Sequence, residues 1–466
     1  MSEVNTVSPM AGLARRTSWV SLALCACLLL TFAQDAPAQE QPQQALSLGE
    51  CIRVALESNP QMDASRQSVV SARAGVTRTR SSYYPQLSLS VVEGLMGGQS
   101  SSGVGGRASG FERSDTAESL DLDLGMTLWR SGRKDYVAES RSSLEAAEMS
   151  HVNTMQALAE QVAIDYYGVL ASRELVAVAQ AGVEASEQHL HEVQTRIDLG
   201  DAAEVDIFTA EDDLAQAQLD LIDARSGVRS AVAQLKATMG VPYAADLQIA
   251  AAPMTVREDL PSLQQAVDTA LEMRPDVLAS RATVQARRYG LKQAKIERGP
   301  TLEVGGQHSL GYAGWEDRDP SWNVLASVSW PIFDGEATKA DETSARAALR
   351  VAEADLRQLG NRLARDIENA LIEVERTRER IAATGKSLAA ADARHRAAQT
   401  KYRRDVGILL EVTDARAALT NAAANEVRAR FDHQVAVVAL QRATGTLPMP
   451  GAEAAQAGER DDDRDQ

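Results

Sequence analysis

The stretch L120-D-L-D-L-G-M-T-L-W-R130 alternates without a break: Leu120, Leu122, Leu124, Met126 and Leu128 share one parity, and Asp121, Asp123, Gly125 and Thr127 the other. Successive side chains of a strand point to opposite faces, so a period of two predicts a strand with one apolar and one polar face. A second stretch repeats the pattern, with Trp322, Val324, Ala326, Val328 and Trp330 set against Asn323, Ser327 and Ser329. Each has a weaker partner nearby. Leu87, Leu89 and Val91 precede the first, and Leu302, Val304 and Leu310 precede the second, which places two strand pairs within 85–130 and 300–333. His308 falls on the apolar parity of its strand and departs from the pattern.

The tryptophans outside the N-terminal leader are Trp129, Trp315, Trp322 and Trp330, all in these two regions. Aromatic rings gathered at strand ends fit the girdle of a membrane barrel, where the ring is apolar and its N–H stays near water. A small water-exposed β-domain is the alternative. Four strands cannot close a barrel, and lipid does not tolerate open sheet edges. A barrel therefore needs several chains, and three would supply twelve strands.

Outward from the strands the pattern becomes helical. Proline is missing between Pro85 and Pro242, and Ala, Leu, Arg, Glu and Gln, which lose little rotamer freedom in a helix, dominate. Leu158, Val162, Tyr166, Val169, Val176 and Val183 recur at spacings that mark a seam between helices. The predicted helices are 48–83 with a break at Asn59-Pro60, then 131–198 and 204–239. In the second half they are 263–298, 336–403 and 409–443. At about 1.5 Å per residue the long helices would span roughly 100 Å, and each flanking helix about half of that. Two short helices laid end to end match one long helix.

The halves are copies. S47-L-G-E-C-I-R-V-A-L-E-S-N-P60 matches S262-L-Q-Q-A-V-D-T-A-L-E-M-R-P275, and Arg196, Asp206, Leu235 and Gly240 pair at constant spacing with Lys401, Glu411, Leu440 and Gly445. One helix–strand–strand–helix–helix unit thus occurs twice, at about 46–245 and 260–447, within a single domain over 39–450. The fold class is mainly α with a small β part: a long antiparallel helical barrel plus four strands per chain.

The N-terminus has Arg15 and Arg16, an apolar run from Trp19 to Phe32, and the A-x-A pattern Ala36-Pro37-Ala38, which reads as a secretory signal over 1–38. A lipid on Cys27 is the alternative use of this segment. Beyond the leader only Cys51 remains, so no intramolecular disulfide is expected. The formal charge of −17 argues against nucleic acid as a partner. The acidic run at 451–466 reads as a disordered tail.

Catalytic chemistry has no visible carrier. The six histidines are scattered, His189 and His191 point different ways on one helix, and no HExxH pattern occurs. The Gly/Ser-rich stretch 94–110 lacks the lysine of a phosphate-binding loop and reads as a surface loop. No cofactor and no metal are expected.

Taken in order, these features resemble the TolC family of outer-membrane efflux proteins, over about Leu46 to Leu447. The resemblance is carried by the duplicated A-L-x-x-N/R-P pattern at 55–60 and 270–275, Y83-Y-P-Q-L-S-L89, S329-W-P-I-F-D-G335, and the turns R196-I-D-L-G-D-A-A-E-V-D-I-F-T-A210 and K401-Y-R-R-D-V-G-I-L-L-E-V-T-D-A415. It implies a homotrimeric, passive duct in the outer membrane, with a twelve-stranded barrel set in lipid. It also implies a periplasmic adaptor and an inner-membrane transporter as partners. The two turns would form the periplasmic tip, with Gly200 and Gly407 at the adaptor contact and Asp206, Tyr402, Glu411 and Asp414 at the gate. The arginine some members carry near the gate falls here on Gly407, and Gly200 corresponds to Asp405 in the second copy. A periplasmic coiled-coil adaptor of the same kind of pump is the rival reading.

Overall fold

The structure, a computed structural model, describes residues 45–96, 115–200, 203–251, 259–313, 317–404 and 406–449. The leader, Trp315, Asp405, the tail and most of the Gly/Ser-rich loop lie outside the described residues.

Two short helices open the chain, α1 (Leu48–Ser58) and α2 (Pro60–Ser81). A capping box starts α1: the Glu50 carboxylate accepts the Ser47 backbone N–H at 2.7 Å, and the Ser47 hydroxyl accepts the Glu50 N–H at 3.4 Å. Asn59 ends α1 in an extended conformation and caps α2, its side-chain oxygen accepting the Gln61 N–H at 2.7 Å while Pro60 takes the first helical position. Strands β1 (Gln86–Met96) and β2 (Asp115–Arg130) follow, then α3 (Arg133–Asp198) and α4 (Asp206–Met239). The second copy repeats the series as α5 (Leu263–Met273), α6 (Pro275–Ile296), β3 (Thr301–Ala313), β4 (Asp317–Ser329), α7 (Ala337–Arg403) and α8 (Leu409–Ala443). Its capping box is Ser262 with Gln265.

The long helices have 66 and 67 residues, as the sequence predicts. Along α3, α2 and α6 pack on the strand-proximal part, as Thr79 on Ser140 and Gln293 on Asp135 show, and α4 on the distal part, where Arg225 meets Gln180. The end-to-end placement of the short helices is built by two glycines. Gly240 (φ +72°) closes α4 in the left-handed conformation, its own N–H returning to Ala237 O and the next to Lys236 O. A Cβ on Gly240 would stand 2.8 Å from Ser58 O and from Asn59 Cα, and the Asn59 amide donates to Thr238 O at 2.8 Å. The end of α4 is thus seated on the α1–α2 break. Gly445 (φ +75°) seats α8 on Arg274 in the second copy, where Arg274 Nη1 donates to Ala443 O at 3.3 Å.

The largest apolar core lies at the first join, where α1 meets α3 and α4 around Ile52, Leu56, Met62, Val162, Tyr166 and Leu235. Cys51 is fully buried here and its thiol is pushed up to about 11, first by desolvation and then by Glu50, so it is an inert core residue like its counterpart Ala266. Tyr166 donates to Ala250 O and Arg173 to Ile249 O, both at 2.8 Å, tying the chain after α4 to the long helix.

Candidate functional site

The four strands form one antiparallel sheet in the order β1-β2-β3-β4. The register gathers the predicted apolar residues on one face: Leu89 stands opposite Leu122, Leu122 opposite His308, and His308 opposite Trp322. His308 therefore does lie on the apolar face, beside Trp322. Among the described residues that face has no partner, and Leu87, Leu89, Val91, Val324 and Val328 are all exposed, as is Trp322 at 76%. Its extent far exceeds the isolated apolar residues normal on a soluble surface.

The opposite face is polar and concave. Gln86, Ser88, Asp123, Thr127, Glu303 and Gln307 line a hollow of about 540 Å³. A sheet that curls with its polar face inside and its apolar face outside has the sense of a stave around an aqueous lumen. Both outer edges, along β1 and β4, carry unpaired backbone groups among the described residues.

Strict alternation would put Trp129 on the polar face. A bulge between Thr127 and Trp129 inserts Leu128 and brings Trp129 opposite Leu302, on the apolar face. Trp330 follows the last residue of β4 and is exposed at the same end of the sheet. Trp129 and Trp330 thus border the apolar face where the strands give way to helices, while Trp322 lies within it.

The far ends of the long helices form the second region. Here α3 turns into α4 through Gly200 (φ +81°), and α7 turns into α8 through 404–408. All four helices meet in a small core of Val193, Ala210, Ala398, Leu409, Val412 and Ala415 around Tyr402. Tyr402 is only 6% exposed. Arg196 of α3 fastens it, with Nη1 donating to Tyr402 O at 2.7 Å and the guanidinium 4.5 Å above the ring. The Tyr402 hydroxyl itself has no hydrogen-bond partner among the described residues. Burial pushes this hydroxyl above its ordinary range, Arg196 pulls it back, and Asp206 and Glu192 push it further up.

Of the expected gate residues, the structure brings Tyr402 and Asp206 within electrostatic range of each other. Glu411 and Asp414 instead project from the exposed side of α8, with Glu411 4.0 Å from Lys401. Gly407 packs so closely that a Cβ would stand 2.9 Å from Lys401 Cβ and 3.2 Å from Tyr402 N. An arginine has no room there, and Arg196 reaches Tyr402 from the other hairpin. Deeper in the same region Arg416 of α8 pairs with Asp213 of α4 at 2.8 Å, both largely buried, and Arg403 of α7 pairs with Glu192 of α3 at 3.1 Å. Sequence reading missed Arg196, Asp213 and Arg416 as site residues. The cues were the pairing of Arg196 with Lys401 across the repeat and its place at the start of the first turn motif. Around the turns Leu199, Val205, Phe208, Val406, Ile408 and Leu410 are exposed.

Among the described residues no helix is long and apolar enough to cross a membrane, and no group of three or more His, Cys, Asp or Glu could hold a metal ion. The family described as Outer membrane efflux protein is matched by residues 51–241 and 266–446, one match in each repeat. Outer membrane protein TolC of Vibrio cholerae is 22% identical over 422 residues, covering 86% of this chain and 91% of the relative. Outer membrane efflux protein BepC of Brucella suis is 24% identical over 318 residues, covering 67% of this chain and 69% of the relative. Among solved structures, the CmeC outer membrane channel of Campylobacter jejuni superposes with a TM-score of 0.74 at 16% identity, over 89% of this chain and 88% of that one.

Proposed function

The chain belongs to the outer membrane efflux protein family, and on that premise we propose that three copies close their sheets into one twelve-stranded barrel, with their helices forming a tunnel beneath it. The protein is an outer-membrane channel for efflux or secretion, and family membership sets aside the periplasmic adaptor reading. Transport is passive: the duct offers a water-lined path and leaves energy and cargo selection to a transporter in the inner membrane.

One observation carries this reading. The sheet has an exposed apolar face, a concave polar face and two free edges. Neither edge can remain open in lipid, because each unpaired N–H and C=O there costs several kcal/mol. A neighbouring copy's β4 beside β1 satisfies both edges at once, and repetition of that contact closes a ring. Trp129 and Trp330 then sit at the headgroup level on the periplasmic side.

The tip is the periplasmic gate. Tyr402, held by Arg196, keeps the two hairpins together, and Asp206, Glu411 and Asp414 lend the entrance a negative potential that favours cations. The exposed apolar residues around Gly200 and Gly407 support docking of a periplasmic adaptor at this end. The segment 1–38 serves as the export signal.

Fractionation and mass measurement test the assembly. The protein should remain with the outer membrane through alkaline extraction, and the detergent-solubilised particle should weigh three chains by native mass spectrometry. A monomer released into alkaline buffer without detergent would refute it.

A further inference from the structure

Within the tip, just behind Tyr402, lie two histidines that the gate as described does not use. Among the described residues, His189 of α3 is 7% exposed with no hydrogen-bond partner for its Nε2, and His395 of α7 is 8% exposed with none for its Nδ1. The His189 ring lies 6.0 Å from the Tyr402 ring, and His395 Nε2 lies 3.0 Å from the Gln399 amide. Each ring therefore buries one polar nitrogen that protein does not satisfy.

The charged groups around them come from all four helices. Arg416 of α8 acts on both rings. Its partner Asp213 of α4 also accepts the Thr413 hydroxyl at 3.0 Å. On α3, Glu192 faces His189 but is bound to Arg403 of α7. On α7, Asp392 faces His395 but is bound to Arg396. Arg196 of α3 and Asp206 of α4 act on Tyr402. Among the described residues, each of these carboxylates except Asp206 has a cationic partner. With both histidines neutral the cluster is balanced; protonation would add two cations beside Arg416, while the carboxylates that act on the rings, Glu192, Asp213 and Asp392, are each already paired.

We propose that His189 and His395 are positioning residues that form a proton-responsive clasp: when neutral they let α3–α4 pack against α7–α8, and their protonation parts the hairpins and widens the entrance. The inference rests on reading the tip as the channel's gate. The direction of the response follows from the environment. Burial lowers both histidines below their ordinary range, Arg416 lowers them further, and the carboxylates only partly offset this. In a parted, hydrated tip each ring regains an ordinary affinity for protons, near pH 6.5. The packed tip is therefore favoured fully above that value and loses the advantage as pH falls through it toward the lowered values. Each histidine can shift the packed-to-parted ratio by at most about tenfold per pH unit.

The test is single-channel conductance of the full protein in planar bilayers, taken from about pH 7.5 to about pH 5.5, a window centred on the histidine range. Wild type should conduct weakly at the upper end and open at least about tenfold more often at the lower end, within the linkage limit. His189→Gln with His395→Gln should abolish that rise, and a second double variant, with phenylalanine at both sites, should behave alike if it extracts as the same particle. Arg416→Met with Asp213→Asn, which releases the hairpins without titrating, should conduct strongly at every pH. An unchanged pH response in both histidine variants overturns the clasp while leaving the gate standing. If the Arg416 and Asp213 variant also conducts like wild type throughout, the tip is not the gate and both readings fall.

Discussion

A single Cβ at position 240 would collide with the backbone of Ser58 and Asn59, and the position also has φ +72°. Gly240→Ala should therefore lower stability by about 2 kcal/mol or more, from left-handed strain plus forced separation of α4 from the α1–α2 break. A drop in the thermal transition of the extracted particle checks this. At the tip, the Tyr402 hydroxyl is buried without a partner, so removing it costs nothing that the fold uses. Tyr402→Phe should leave closed-state conductance unchanged, whereas Arg196→Ala, which removes the bond to Tyr402 O, should raise it. These residues show the limit of sequence reading. Gly240 was visible as the counterpart of Gly445, but its contact is made across about 180 residues of chain and carries no local signal. Arg196 was visible as a repeat partner of Lys401 and as the start of a turn motif, while the tyrosine it holds lies 206 positions away.

The elements themselves were largely legible. Ser47 with Glu50, Asn59 before Pro60, and the alternation through Leu120 to Leu128 are local chemistry, and local chemistry decides where helices and strands begin. Trp129 was less so, since its face depends on a bulge that only the pairing with β3 defines. The two faces of the sheet should respond differently to the same substitution. Leu122→Arg puts a charge in the middle of the apolar face and should cost about 2–4 kcal/mol near the bilayer midplane, seen as lost outer-membrane protein. Gln307→Arg, on the concave face, should leave the amount unchanged and shift reversal potentials toward anions. Equal loss of protein from both would mean that the two faces are not divided between lipid and lumen.

At the scale of the molecule, the described chain packs its helices together at the joins and the tip but leaves its sheet unpaired at both edges. The long helices find partners along their length, and α1 and α5 close the joins. The sheet ends at β1 and β4 with nothing beyond either edge. That incompleteness was legible once the strands were counted, because four strands cannot enclose a lumen. The number of copies, proposed as three, is carried by no single residue. Within one chain β1 and β4 are separated by three strand spacings, about 14 Å, too far for a disulfide. In a Cys51→Ala background, Ser88→Cys should be paired in turn with cysteine at Asn323, Leu325 or Ser327, all on the concave face. Mild oxidation in the membrane should give, for at least one pair, a denaturing-gel ladder of one, two and three chains and no further rung. If every pair yields only monomer, as the single-cysteine controls should, the edges do not meet and the shared barrel is wrong.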